Sequence, residues 1–261
     1  MAARVADWVQ RRFGLQGRSA LVTGGGSGVG GAIAEGLGAA GARLVLVGRD
    51  EARLVRAARG LRGAGVEVDY VAADLACAEG VEHCVSRALG IVPGIDILVN
   101  AAGFNIREPF MKVSEASWNQ HLSIHLTAPF FLTQRLAPGM KRKGWGRIIN
   151  IASLQSVRAF ADSAAYGAAK GGVVQLTRAM AEEWSRHGVT CNAIAPGFFP
   201  TALTAKIFDD EAQAAAHAAG TMTGRNGRLE DLHGVAVFLA SDASSYVTGQ
   251  TIYVDGGYSA R

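Results

Sequence analysis

Cysteine, proline and charge are all scarce in this chain, and each shortage excludes something. Only 3 of the 261 residues are cysteine. Cys77, Cys84 and Cys191 are odd in number and form no C-x-x-C pair, so neither a disulfide framework nor a zinc ribbon is expected. This usage fits a reducing compartment such as the cytoplasm. Charged residues make up 18%, too few for a disordered chain, and the net surplus is only +4. Apart from Lys141-Arg142-Lys143 and the N-terminal arginines there is no basic block, so a nucleic-acid partner is not expected. No uncharged apolar run approaches the roughly 18 residues that would cross a bilayer, so no membrane association is expected. The N-terminus also lacks the apolar centre of a secretory signal. Its arginines suit either an organelle transit peptide or, the favoured reading, an amphipathic lead-in over residues 1–14, with Trp8, Val9 and Phe13 packing on the body.

Glycine, at 34 residues against 6 prolines, suits many tight turns between strands and helices. Strands are expected at Ala20–Thr23, Leu44–Val47, Val66–Ala72, Ile95–Asn100, Arg147–Ala152, Thr190–Ala195 and Thr251–Val254. Most are continuous apolar runs, as in parallel strands covered on both faces. Helical patterns separate them at Val29–Ala40, Asp50–Ala64, Ser114–Lys141, Ser163–Arg186 and Glu230–Leu239. The alternation predicts a single α/β domain over residues 1–261, with a doubly wound parallel sheet. Residues 198–227 break the rhythm and read as a substrate lid.

The first strand runs into Thr23-Gly24-Gly25-Gly26-Ser27-Gly28-Val29-Gly30 and then a helix. Glycines there permit a tight turn and close approach of backbone to a pyrophosphate, which meets the free N–H groups of the helix N-terminus. The second strand ends Val47-Gly48-Arg49-Asp50. A carboxylate for the adenosine ribose is expected about 20 residues beyond the glycines, and that place falls on Gly48. The guanidinium of Arg49 suits a 2′-phosphate instead. Asp50 either caps the following helix or reaches the ribose.

Tyr166 and Lys170, four apart, share one helical face. An ammonium beside a phenol favours phenolate, as a general acid/base requires. Ser153 follows a strand at the C-terminal edge of the sheet, where doubly wound sheets bind ligands.

With Thr23-Gly24-x-x-x-Gly28-x-Gly30, Asn100-Ala101-Ala102-Gly103, Pro196-Gly197 and Val254-Asp255-Gly256-Gly257, these residues resemble the short-chain dehydrogenase/reductase family from about Leu15 to Tyr258. The resemblance implies a Rossmann fold with a seven-stranded parallel sheet, usually in a homotetramer. It implies Tyr166 as acid/base, Lys170 on the nicotinamide ribose and Ser153 on the substrate oxygen. Thr23, Gly24, Ser27, Gly28, Val29 and Gly30 would hold the phosphates. Asp74 and Leu75 would meet the adenine, and Asn100 and Gly103 the adenosine side, with Asn100 also tying the central strands. Pro196, Gly197, Phe199 and Thr201 would flank the nicotinamide. NADP(H) is expected over NAD(H), from Gly48 and Arg49.

One position departs. His125 stands where the family has an asparagine that holds a relay water, and imidazole can also donate and accept. His121 lies one turn earlier, but no third ligand is apparent and no metal is expected. The segment Phe104-Asn105-Ile106-Arg107-Glu108-Pro109 is similar to the loop of gluconate 5-dehydrogenases and related sugar-acid dehydrogenases, as is the Trp118 helix with Ala128-Pro129-Phe130. Arg107 and Arg158 are candidates for a substrate carboxylate. Phe104, Phe160, Phe198 and Phe199 would instead suit a 3-oxoacyl thioester or another hydrophobic ketone. A non-catalytic NADP(H)-binding protein on the same fold is a further alternative.

Overall fold

The computed structural model describes residues 2–261, with side chains from Asp7 onward. Seven parallel strands form one sheet in the order β3-β2-β1-β4-β5-β6-β7. They are β1 (Ser19–Thr23), β2 (Arg43–Gly48), β3 (Val68–Ala72), β4 (Ile97–Asn100), β5 (Gly146–Ile151), β6 (Val189–Pro196) and β7 (Thr251–Val254). All seven expected strands are present, most with ends shifted by a residue or two. β1, β4 and β5 are buried at every residue, which is why their sequences read as unbroken apolar runs.

One face is covered by α2 (Gly28–Ala39), α3 (Glu51–Gly63) and α10 (Asp231–Ala240), through Ile33, Leu37, Leu54, Ala58, Leu232 and Ala236. The other is covered by α4 (Ala78–Ile91), α6 (Ala128–Lys143) and α7 (Ala164–Trp184), through Val81, Val85, Leu132, Leu136, Met140 and Met180. α4 was not expected from the sequence.

The long helix expected over Ser114–Lys141 is two helices, α5 (Glu115–Leu122) and α6, joined without a break by a wider π-type turn at Ser123–Thr127. Such single wide turns often mark functional sites, and this one carries His125. The lead-in is α1 (Ala2–Phe13). Phe13 is partly buried, but Trp8 and Val9 are 53% and 44% exposed, against the expectation that they pack on the body. Trp8 instead meets Phe13 edge-on at 6.5 Å. The expected lid contains α8 (Ala205–Phe208) and α9 (Glu211–Ala219), neither of which buries a residue. No helix among the described residues is long and apolar enough to cross a membrane.

Candidate active site

The strand order reverses between β1 and β4, and a cleft of about 690 Å³ opens at the C-terminal strand ends there. Gly24, Ser27, Gly28, Val29 and Gly30 line it at one end, with Arg49, Asp74 and Leu75 beside them. Gly103, His125, Ser153, Tyr166 and Lys170 line its middle, and Pro196, Gly197, Phe199, Thr201 and Arg107 its far side. Three candidates lie outside it.

Thr23 and Asn100 sit just beneath and act on the scaffold. Thr23 Oγ1 accepts from the backbone N–H groups of Ala101 (2.9 Å) and Ala102 (3.0 Å), tying β1 to the turn after β4. Asn100 Nδ2 donates to Asn150 Oδ1 at 2.8 Å, and Asn150 Nδ2 donates to Thr177 Oγ1 at 2.9 Å, linking β4 and β5 to α7. Arg158, expected as a partner of a substrate carboxylate, follows the turn at Leu154–Ser156, is exposed and does not line the cleft. Its Nη2 donates to the Arg261 carbonyl at 2.6 Å and its guanidinium lies 5.5 Å from the Tyr258 ring centre.

The glycine end fits a dinucleotide. A Cβ on Gly30 would stand 2.4 Å from the Gly24 carbonyl oxygen, so only glycine lets α2 begin this close to the loop. Ser27 is the N-cap of α2 by position, yet its hydroxyl makes no capping bond. The helix N-terminus is therefore left to an anion. Asp50 is the N-cap of α3, accepting the Arg53 N–H at 2.9 Å, the first of its two expected roles.

At the catalytic end, α7 presents Tyr166 and Lys170 on its inner face, 7% and 5% exposed. Lys170 Nζ donates to the Ile151 carbonyl at 2.5 Å and lies 5.6 Å from the Tyr166 ring centre. Burial brings the lysine down to about 7. Burial also pushes Tyr166 up to about 12, and the Ser153 hydroxyl offsets part of that. The expected depression of the phenol by its neighbouring lysine is not seen, and desolvation sets the direction of the shift.

His125 is 3% exposed and meets the Tyr166 ring edge-on at 5.2 Å. Its Nε2 lies 2.8 Å from the Phe104 carbonyl, so Nε2 carries the hydrogen and donates. Nδ1 is shut off from solvent and has no partner among the described residues. Burial first, and then the Lys170 charge, hold the imidazole well below its usual range, so it is neutral. Its one free acceptor, Nδ1, is closed to the water that the expected relay would need. A Cβ on Gly103 would stand 2.2 Å from His125 Cε1, so the ring and this glycine fit as a pair.

A family model described as enoyl-(acyl carrier protein) reductase matches residues 24–259. The gluconate 5-dehydrogenase of Gluconobacter oxydans is 40% identical over 245 residues, spanning 94% of this chain and 96% of that protein. The chain is a short-chain dehydrogenase/reductase. It is an oxidoreductase acting on CH–OH groups with NAD(P). A second member of the family similar to it is the L-tagatose-forming galactitol 2-dehydrogenase of Cereibacter sphaeroides, 39% identical over 250 residues, 94% of this chain and 96% of that one. A gluconate 5-dehydrogenase from Burkholderia cenocepacia, crystallised with NADP and tartrate, superimposes with a TM-score of 0.92 at 39% identity, covering 97% of this chain and 99% of that one.

Sequence reasoning missed several side chains that line the short-chain dehydrogenase cleft, among them Arg53, Asn105, Gln155, Gln213 and His217. Arg53 was within reach, since Asp50 and Arg53 have the i, i+3 spacing of a helix pair. The lid residues carried no signal, because the irregular chain from Phe198 onward gives no periodicity to aim them.

Proposed function

We propose that the protein interconverts a secondary alcohol and a ketone on a small sugar acid of the gluconate type, with NADP(H) preferred over NAD(H). The observation that carries the substrate class is Arg107, an exposed cation in the cleft that Ser153 and Tyr166 also line, which suits the carboxylate of a sugar acid. The gluconate and galactitol dehydrogenases named above support the class.

Tyr166 takes the hydroxyl proton during oxidation and returns it to the carbonyl oxygen during reduction. Ser153 hydrogen-bonds that same oxygen and orients it. Lys170, fixed by the Ile151 carbonyl, holds the nicotinamide ribose. His125 positions the wall beside Tyr166 by locking the Phe104 carbonyl. The nicotinamide, when bound, accepts or supplies the hydride. Gly24 to Gly30 hold the pyrophosphate, Asp74 and Leu75 the adenine, Gly103 the adenosine side, with Asn100 fixing the strand end beneath it, Pro196, Gly197, Phe199 and Thr201 the carboxamide end, and Arg49 the 2′-phosphate. Exposed Trp118, Phe130 and Phe131 on α5 and α6 support assembly with further copies, as a homotetramer. Three free cysteines support a reducing cytoplasmic setting.

The rival substrate, a 3-oxoacyl thioester or another hydrophobic ketone, is favoured by Phe104, Phe160 and Phe198, which line the same cleft. Catalytic efficiency with NADPH on 5-keto-D-gluconate and on a 3-oxoacyl thioester separates the two. The sugar acid should win by at least roughly tenfold, the worth of a charge-assisted contact to Arg107. A thioester used as well or better would replace this reading with its rival.

A further inference from the structure

We infer that Arg53, on the first turn of α3, is a second determinant of NADP selectivity, acting both on the 2′-phosphate and on Asp50. The inference rests on the proposed NADP preference and adds a residue to it. The aliphatic stem of Arg53 lies across the glycine loop. A Cβ on Gly26 would touch Arg53 Cγ at 3.4 Å and Cδ at 3.7 Å, ordinary van der Waals distances, which places the stem directly over the loop. The guanidinium ends beside the hydroxyl that α2 leaves uncapped, with Nη1 3.5 Å from Ser27 Oγ. Arg49 lines the same end of the cleft from the end of β2. Two cations and a hydroxyl, from three separate elements, thus border one place. A phosphate accepts from all three of these donor types, whereas a free ribose hydroxyl calls for a carboxylate.

Asp50 is the carboxylate that would answer a ribose hydroxyl, and it too lines the cleft. Arg53 engages it at both oxygens. The Arg53 N–H donates to Asp50 Oδ1 at 2.9 Å, and Arg53 Nε lies 3.5 Å from Asp50 Oδ2. The backbone bond survives substitution at position 53 by any residue but proline, whereas the guanidinium contact does not. Removing the side chain therefore has two effects of the same sign. It deletes a cation for the 2′-phosphate, and it leaves an unneutralised carboxylate facing that phosphate. Arg49 has no such second role. Loss of Arg53 should cost more discrimination than loss of Arg49, and Asp50→Asn should recover part of it.

The test is calorimetric titration with adenosine 2′,5′-bisphosphate and with 5′-AMP, which differ only in the 2′-phosphate, on the full chain. The parent should bind the bisphosphate more tightly. Arg53→Ala should weaken the bisphosphate at least about tenfold and 5′-AMP less than about twofold, the size of a charge-assisted contact. Asp50→Asn in the Arg53→Ala background should regain several-fold of the bisphosphate affinity. Arg53→Ala that binds the bisphosphate like the parent, while Arg49→Ala loses it, overturns the role of Arg53 and leaves the NADP reading standing. A parent that binds both nucleotides equally overturns the NADP reading, and this inference with it.

Discussion

The strand-end platform and the lid above it are built by opposite means. β1, β4 and β5 are buried throughout, and the catalytic pair hangs from α7 into the same dry layer. A chain of side-chain bonds through Asn100, Asn150 and Thr177 crosses from sheet to helix inside it. α8 and α9 bury nothing. The lid is tied to the rest by buried Phe199, by backbone bonds from Met222 and Thr223 to the Gly256 carbonyl, and by an aromatic cluster in which Phe198 stacks on His217 at 3.8 Å and meets Phe160 at 6.2 Å and Tyr258 at 5.4 Å. Groups that move protons and bind phosphates are thus fixed by parts that cannot shift without disturbing the core. Groups that meet the rest of the substrate sit on parts whose exposed residues can vary at little cost in stability.

The sharpest way to break this contrast is to remove the acid/base. Tyr166→Phe should cut turnover by at least about 100-fold while NADPH titration stays near that of the parent. Turnover near that of the parent would mean that the platform does not carry the chemistry. Next in size is the glycine loop. Gly30→Ala forces a Cβ against the Gly24 carbonyl at 2.4 Å, an overpacking that costs about 1–3 kcal/mol. A lowered Tm and weakened NADPH binding should appear together. In the lid, Leu203→Ala alters a side chain that is 51% exposed and should leave stability within about 0.5 kcal/mol. A Tm loss as large as that of Gly30→Ala would show the lid to be part of the core.

A subtler test uses pH. Lys170 is lowered by burial from 10.5 to about 7, so between those values the unfolded chain binds more protons than the folded one. Stability from this group therefore rises with pH across that window. Tyr166, raised from 10.0 to about 12, acts in the opposite sense only above its unfolded value. Thermal melts of the parent and Lys170→Met from neutral to mildly alkaline pH should show the parent gaining on the variant. Parallel curves would mean that the ammonium is better solvated than its burial implies.

The same contrast governs what the sequence discloses. Buried parallel strands impose long apolar runs, so every strand was legible, as were the glycine turn and the Ser153, Tyr166 and Lys170 set. Where several forces compete, the reading was poorer. The wide turn at Ser123–Thr127 leaves no trace in a helical pattern, so one long helix was expected. Arg158 and Arg107 look alike as arginines near a site, and only the outward turn after Ser153 separates them. Tyr166 and Lys170 were placed correctly on one helix face, but their depth was not visible, and it reverses the direction in which the phenol shifts. Arg53 was readable as a helix partner of Asp50, but its place over Ser27 and Gly26, which are distant in sequence, was not.

The most direct measurement of the division between platform and lid-side recognition is the split between kcat and KM in Arg107→Ala for reduction of 5-keto-D-gluconate by NADPH. Arg107 borders the cleft mouth, with one weak bond, 3.5 Å from its Nη2 to the Ala161 carbonyl, and does not touch Tyr166 or Lys170 in any recorded bond. A carboxylate contact that is the same before and during the reaction should raise KM about tenfold and leave kcat within about threefold. A kcat that collapses with KM unchanged would contradict the division, because recognition and chemistry would then be carried by the same residue.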